Sequence, residues 1–385
     1  MRIGIDYTAA VRQGAGIGRY TRHLVDALTQ LDVENQYVLL VARGRIRQPC
    51  PWLDLVARRP HVRVVTLPLS DRTMAVLWHR LRLPLWPEWF CGALDVFHSP
   101  DFTLPPVLRA RTALTVHDLS FVRVPQSADP ALRSYLLRVV PASVRRADVV
   151  LADSQSTRSD VIECIGAEPA RVEVVYPGVD PRFRPLEDAH SLQAVRSRYG
   201  LPDRFVLGLG TLQPRKNYER LIEAYATVRR EVGSRVKLVI AGGKGWLYDS
   251  IFRCVEELGV AADVRFAGYV ADEDLPALYT LAELFVFPSL YEGFGLPPLE
   301  AMACGTPVVT SNVSSLPEVV GDAALLVDAL DVPALAEAIQ RALSDEDLRS
   351  RMTRLGRQQA RRFTWPAAAK KLLHLYRHLA ISARQ

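Results

Sequence analysis

Residues 284–311 read "LFVFPSLYEGFGLPPLEAMACGTPVVTS". "LFVFPS" is a short apolar and aromatic run and "PVVTS" a short β-branched one, so both read as buried strands. Tyr291 to Leu296 form the loop between the first strand and a helix. Pro297 or Pro298 occupies the first helical turn, where a missing N–H costs nothing. The helix is expected over 299–303, with Gly305 as its cap. Strand, loop, helix and strand in that order make one βαβ turn of a parallel sheet. Two carboxylates, Glu292 and Glu300, flank a stretch of glycine and proline that by itself holds neither helix nor strand.

Similar runs recur on both sides. "RIGI", "YVLLVA", "VRVVTL", "VFHS", "TALTVHD" and "VVLADS" read as strands of one sheet. "RFVLGLG", "VKLVIAG", "VRFAGYV" and "AALLVD" join the opening pair in a second. Helical patterns such as "GRYTRHLVDALTQL" separate them, which is α/β layout with helices on both faces. The segment "YPGVDPRFRPLED" (176–188) breaks the rhythm with Pro177, Gly178, Pro181 and Pro185. Proline fixes φ and removes a donor, so this is a stiff linker. We expect two Rossmann-like domains with parallel sheets, 1–180 and 181–364, facing each other across a cleft. The helix 365–385, with Leu372, Leu373, Leu375 and Tyr376 along one side, packs back onto the first domain.

A chain of 385 residues suits two cores. An apolar fraction of 49% with 23% charged residues is that of a soluble globular protein. The net charge of +6 is modest for this length, and no RNP, zinc-finger or helix-turn-helix pattern occurs, so no nucleic-acid partner is expected. Only five of the 48 basic residues are lysine, which makes a lysine kept against that bias informative. The five cysteines are scattered and never form a CxxC pair, which points to a reducing compartment and to no structural metal. Asp6 interrupts the apolar run that a signal peptide needs, and no stretch reaches the ~18 apolar residues of a membrane span. A cytoplasmic location follows as an expectation.

Peptide amides around Phe294, Gly295 and Leu296 point out of the helix N-terminus, and Gly293 and Gly295 let a ligand approach the backbone. That is an anion site suited to phosphate. A carboxylate accepts two hydroxyls at once, so Glu292 and Glu300 suit the vicinal diols of a sugar and a ribose on either side of the phosphates. The ligand this arrangement suits is a sugar nucleotide. An acidic residue in a first helical turn is also favoured by the macrodipole alone, so Glu300 taken singly carries less. "GAGIGRY" (14–20) competes as a dinucleotide-binding loop. However, Gly16 and Gly18 lack the third glycine, and no acidic residue closes "YVLLVAR" to hold a ribose hydroxyl. Gly18 reads equally as a tight turn before a helix.

"PSLYEGFGLPPLEAMACGTPVVTS" resembles the retaining glycosyltransferases of family four, which have a two-Rossmann GT-B fold. The resemblance extends along nearly the whole chain through "GIGRYTRHL", "HSPDFTLP", "TVHDLSF", "ADSQSTRSDV", "YPGVD", "GTLQPRKN", "SSLPEVVGDAALLVD" and "FTWPAAAKKLLHLYRHL". Within the family the chain is most similar to bacterial polysaccharide mannosyltransferases. The resemblance implies a first domain that binds the acceptor and a second that binds the nucleotide sugar. It implies that Arg215 and Lys216 bind the donor diphosphate and stabilise the departing nucleotide, as fixed cations do where no metal is present. Many relatives carry arginine directly after the glycine where this chain has Thr211. Gly16 would contribute amides near the phosphates or shape the acceptor site. His117 would touch the donor sugar beside Asp118, although a polar pair at a strand end also caps the next segment. His98 reads as a structural hydrogen-bonder. GDP-mannose is the expected donor from this branch resemblance alone, with no metal and no other cofactor, and the acceptor is a glycan or polyprenyl-linked glycan.

For a retaining transfer, a covalent route would use Glu292 as nucleophile. The favoured alternative is front-face substitution, in which the leaving phosphate oxygen assists deprotonation of the acceptor. "RTMAVLWHRLRLPLWPEWF" (72–90) mixes three tryptophans with Arg72, Arg80 and Arg82, a composition suited to an interfacial helix on anionic lipid or to a helix packed on the sheet. Two other classes share the architecture: sugar-nucleotide epimerases and non-catalytic nucleotide-sugar-binding subunits.

Overall fold

The computed structural model describes residues 1–14, 16–44, 50–232 and 235–382. The chain divides into two compact units. The first comprises Met1–Val122, Pro130–Gly178 and Thr364–Gln385; the second comprises Arg123–Asp129 and Val179–Phe363. The last three residues of the helix expected over 365–385 lie outside the described residues.

The first unit is built on seven parallel strands: β1 (Arg2–Asp6), β2 (Gln36–Ala42), β3 (Val62–Leu67), β4 (Val96–Ser99), β5 (Arg111–Val116), β6 (Val149–Ala152) and β7 (Val172–Val174). Their order is β3-β2-β1-β4-β5-β6-β7. Ile3, Ile5, Leu39 and Leu151 pack on one face, and Val38, Leu40, Leu114 and Val150 on the other. Burial on both faces is why these strands read as unbroken apolar runs rather than alternating ones. The edge strand β7 is not foreseen by the pattern. It is three residues long, carries a central glutamate, and runs into the proline linker. So short a segment has no period to detect.

The closing helix Trp365–Ser382 belongs to this unit and buries Leu372, Leu373 and Tyr376 in its core. Each leucine so buried contributes about 1.5–3 kcal/mol. The Tyr376 hydroxyl also meets His98 Nδ1 at 2.6 Å, while His98 Nε2 meets Thr115 Oγ1 at 2.8 Å. Burial, aided by the charge of His117, lowers the pKa of His98 to about 3, so it is a neutral strut between helix and sheet.

The second unit has six parallel strands, β8 (Phe205–Leu209), β9 (Lys237–Ala241), β10 (Val264–Gly268), β11 (Leu284–Phe287), β12 (Val308–Ser311) and β13 (Leu325–Val327), in the order β10-β9-β8-β11-β12-β13. In each sheet the strand order reverses once, between β1 and β4 in the first and between β8 and β11 in the second. Open α/β sheets hold ligands outside the carboxyl ends of the strands at such a reversal.

Residues 72–90 do not form the single helix expected of them. A helix over Asp71–Ala75 continues as a π-helical turn, Val76–Arg80, and a separate short helix covers Pro87–Cys91. Pro84 and Pro87 divide the segment, since neither can donate to a continuing helix. Trp78 is buried, whereas Leu81 and Trp89 are both 56% exposed. Among the described residues no helix is long and apolar enough to cross a membrane.

Candidate active site

At the reversal of the second sheet, two loops supply the charged groups. The loop after β8 makes a 3-10 turn over Pro214–Lys216 and ends at Asn217 in the left-handed region, φ 59°. The Asn217 amide donates to the carbonyls of Pro288 (2.9 Å) and Ala329 (2.7 Å), tying this loop to the end of β11. Arg215 and Lys216 are thereby held against the loop after β11. Lys216 Nζ lies 2.6 Å from Glu292 Oε1, and Arg215 Nη1 lies 2.8 Å from Glu292 Oε2. Arg215 also donates to the carbonyl of Tyr291 at 2.7 Å, and the Ser289 hydroxyl donates to Glu292 Oε1 at 2.6 Å. The Lys216 ammonium sits 4.5 Å from the centroid of the Phe287 ring, a cation–π contact.

Burial alone would push the Glu292 carboxyl up, but the Arg215 and Lys216 charges, with hydrogen bonds from Lys216 and Ser289, bring it down to about 2. A carboxylate has about four lone-pair sites, and these three partners occupy three. The cluster carries two positive charges against one negative, so it retains a net attraction for an anion.

The helix after this loop runs Leu296–Ala303, starting three residues before the expected position, with prolines in its first positions and Gly295 at its N-cap. Glu300 is therefore in the second turn, not the first, and the macrodipole does not account for it. It is 2% exposed and accepts a hydrogen bond from the Tyr279 hydroxyl at 3.1 Å. Gly295 has φ +107°, and a Cβ there would lie 2.9 Å from Leu316 Cδ2. Its missing side chain thus makes room for Leu316, where the sequence suggested open ground for a ligand. As a glycine, the N-cap residue brings no side chain of its own to this helix N-terminus.

Two serines shape the loop between Glu292 and Phe294. The Glu292 amide donates to Ser314 Oγ at 2.9 Å, and the Ser315 hydroxyl reaches the carbonyls of Glu292 (2.9 Å) and Phe294 (2.7 Å). Ser314 itself sits at φ +50°. Thr211, half-buried after β8, places its methyl where a Cβ on Gly245 would lie 2.7 Å away. It brings no charge to the cluster.

In the first unit, His117 follows β5. Its Nδ1 lies 2.7 Å from Asp153 Oδ2 and its Nε2 lies 2.9 Å from the Pro100 carbonyl. Both neighbours are acceptors, so both nitrogens carry protons and the ring is an imidazolium. Burial opposes that charge, but Asp153 and Asp101 outweigh it and raise the pKa to about 9. Asp118 accepts from the Ser120 amide at 2.8 Å and so caps the helix Ser120–Arg123. Gly16 starts the helix Gly16–Leu31 at φ +36° with open space around it. Gly18 is a packing residue: a Cβ there would lie 2.0 Å from the Gln13 carbonyl oxygen. Buried Arg22 ties down the same loop through the carbonyls of Ala10, Gln13 and Gly14.

The chain resembles known proteins along nearly its whole length. Residues 14–183 match the family model described as Glycosyltransferase Family 4, and residues 195–359 match Glycosyl transferases group 1. The chain is 37% identical to O-antigen chain mannosyltransferase B of Escherichia coli, over 94% of this chain and 96% of that one. It belongs to glycosyltransferase family four. A longer Escherichia coli protein, the serotype-specific mannosyltransferase WbdA, is 36% identical over 67% of this chain but only 32% of its own length. Among solved structures, sucrose-phosphate synthase from Thermosynechococcus elongatus superposes with a TM-score of 0.80 at 25% identity, covering 99% of this chain and all of that one. WaaG, a glycosyltransferase involved in lipopolysaccharide biosynthesis, reaches 0.73 at 18% identity, over 98% of this chain and 99% of that one, a likeness of fold. The two Rossmann-like units are those of the GT-B class.

In this glycosyltransferase the sequence-predicted Arg215, Lys216, Glu292, Gly293, Phe294, Gly295, Leu296 and Glu300 all lie in the second unit, on the β8 and β11 loops or the helix Leu296–Ala303. Gly16, His117 and Asp118 lie at the carboxyl edge of the first sheet. Sequence reasoning missed Asp153, Arg22, Tyr279, Ser314 and Ser315. Arg22 acts on the loop just before its own helix and the others on residues distant in the chain, and no spacing rule points to any of them. Among the described residues, no three histidine, cysteine, aspartate or glutamate side chains come together in a way that could hold a metal ion.

Proposed function

We propose that this glycosyltransferase moves a mannosyl group from GDP-mannose to a glycan or polyprenyl-linked glycan in cell-surface polysaccharide synthesis, with retention at the anomeric carbon and without a metal. The observation that carries this reading is the meeting of Arg215, Lys216 and Glu292 at the β8/β11 reversal, where a sheet of this kind receives its ligand. The likeness to O-antigen chain mannosyltransferase B over almost the whole of both chains supports the choice of mannose.

The second unit takes the nucleotide sugar and the first takes the acceptor. Arg215 and Lys216 face the diphosphate and neutralise charge as the bond to the anomeric carbon lengthens, which stabilises the transition state more than the ground state. Amides of Gly293, Phe294, Gly295 and Leu296 add dipoles to the same oxygens. Glu300 holds the ribose, and the remaining lone-pair site on Glu292 holds a sugar hydroxyl. With Glu292 engaged by two cations and a serine, it is a poor nucleophile, which favours front-face substitution: the leaving phosphate oxygen receives the proton of the incoming hydroxyl. His117, expected to touch the donor sugar, has both ring nitrogens engaged by Asp153 and the Pro100 carbonyl, so its contribution is the charge of an imidazolium rather than a hydrogen bond. The enzyme works in the cytoplasm, at the inner face of the membrane, with the exposed Leu81 and Trp89 and the neighbouring arginines against anionic lipid.

Incubation with GDP-mannose and an α-mannosyl oligosaccharide tests the reading through the anomeric signal of the product in NMR. The expected product is α-linked and forms in the presence of EDTA. A β-linked product, a requirement for a divalent ion, or turnover of UDP-sugars alone would contradict it. An isomerised sugar accumulating from donor alone would favour the epimerase class.

A further inference from the structure

We infer that the β1/β4 crevice of the first unit is a sugar-hydroxyl site for the acceptor, with Asp101 as its specificity-determining carboxylate and Gln13 beside it. The inference rests on the glycosyl-transfer reading for the identity of its ligand, and on the geometry of the first unit for its place. β1 and β4 are the neighbours between which the strand order reverses, as β8 and β11 are in the second sheet. The connection after β1 runs through the short helix Thr8–Arg12, whose end brings Gln13 and Gly14 and then Gly16 at the start of the next helix, and the loop after β4 delivers Asp101.

Three features fix this crevice. Arg22 and Gly18 hold the Gln13–Gly14 backbone in place from below, as described above. On the other side, the His117 imidazolium grips the Pro100 carbonyl, and the Phe102 amide donates to the Thr115 carbonyl at 3.0 Å. Phe102 adopts φ +41°, an unfavourable value for an aromatic residue that these bonds enforce, with its ring edge-on to His117 at 5.5 Å. Asp101 is thus presented by a rigid turn, the condition for selecting a ligand by geometry.

The neighbouring carboxylates have partners of their own. Asp6 accepts from the Thr8 amide at 2.9 Å, and Asp71 pairs with Arg12 at 2.8 Å. Asp101 reaches the exposed Gln13 amide only at 3.5 Å, the outer limit of a hydrogen bond. Burial, with the nearby Asp6 and Asp71, raises its pKa to about 6 in spite of the His117 charge. Such a carboxylate gains by accepting hydrogen bonds from hydroxyls. A vicinal diol can use both of its oxygens, with the Gln13 amide as a further partner. Gly14 and Gly16 have no heavy atom within 4 Å of where a Cβ would stand, so a sugar ring can come close to the backbone there.

The test uses the full chain. At saturating GDP-mannose with an α-mannobioside acceptor, Asp101→Asn should raise the acceptor KM roughly 10- to 100-fold, the effect of losing a hydrogen bond to a charged group. The donor KM and the GDP-induced thermal shift should not change. Gln13→Ala should move the acceptor KM the same way by less. Saturation-transfer NMR with methyl α-mannoside, without donor, gives a readout independent of turnover: signal from the wild type, lost in Asp101→Asn while the melting temperature is kept. An unchanged acceptor KM, an equal rise in the donor KM, or no mannoside signal from the wild type overturns the assignment. Wild-type binding of mannoside through Asp101 with no transfer from any nucleotide sugar would instead reject the proposed activity and leave this site standing.

Discussion

Replacing Glu292 by glutamine keeps the shape of the β8/β11 cluster and removes its only negative charge. Lys216 and Arg215, whose side chains are 10% and 16% exposed, are then left buried with like charges side by side. Breaking a buried pair in this way costs about 3–5 kcal/mol. The depressed carboxyl gives a similar figure: a fall from 4.5 to about 2 is worth about 3 kcal/mol at neutral pH. In a unit of this size, 1 kcal/mol moves Tm by about 2–4 °C, so Glu292→Gln should lower it by roughly 6–20 °C. GDP, which has no sugar for Glu292 to hold, should partly restore the loss because its diphosphate supplies the missing negative charge. Scanning calorimetry with and without GDP reads both effects, and the GDP-induced shift should be larger in the variant than in the wild type. The acid limb gives an independent check. Since the carboxyl titrates lower in the folded protein, its contribution is complete above about pH 4.5 and is lost as pH falls toward about 2. Glu292→Gln should flatten that limb. A variant that melts within about 2 °C of the wild type, or that gains no more from GDP, would refute the reasoning.

His117 behaves with the opposite sign. Its pKa is raised from 6.5 to about 9, so the stability it lends is complete below pH 6.5 and disappears as pH climbs through about 9; Asp153→Asn should abolish that alkaline loss in Tm measured from pH 6 to 10. Lys216→Ala should cut turnover at saturating donor by about 100- to 1,000-fold, as loss of a fixed transition-state partner does, and full rate would disprove its leaving-group role. Glu300→Ala should chiefly raise the donor KM, and an unaltered KM would remove it from the ribose site. Gly18→Ala drives a methyl to 2.0 Å from the Gln13 carbonyl and should destabilise the first unit by about 1–3 kcal/mol, read by denaturant unfolding; a neutral result would show that the loop yields. Arg80→Glu with Arg82→Glu should weaken co-sedimentation with anionic liposomes, and unchanged partitioning would eliminate the membrane contact.

The parallel sheets were legible because strands buried on both faces print as unbroken apolar runs, and twelve of the thirteen strands fall on such runs. β7 left no period to find. The charged groups at the β8/β11 reversal were legible as residue types, since lysine is scarce here and carboxylates flanking glycine and proline are unusual. Their pairing was not. That Glu292 receives Lys216 and Arg215 depends on Asn217 reaching the carbonyls of Pro288 and Ala329, a contact over 71 and 112 residues. The reason for the glycine at position 295 was also hidden, because Leu316 arrives from a later loop. Residues 72–90 show the opposite failure: composition suggested one amphipathic helix, and the two prolines that divide it were the stronger signal.

A crystal structure of the protein with GDP-mannose tests the central claim most directly. The account predicts diphosphate oxygens within hydrogen-bond distance of Lys216 Nζ and the Arg215 guanidinium, the ribose at Glu300 and a mannose hydroxyl at Glu292. A nucleotide seated elsewhere, with the Lys216–Glu292–Arg215 cluster untouched, would contradict it.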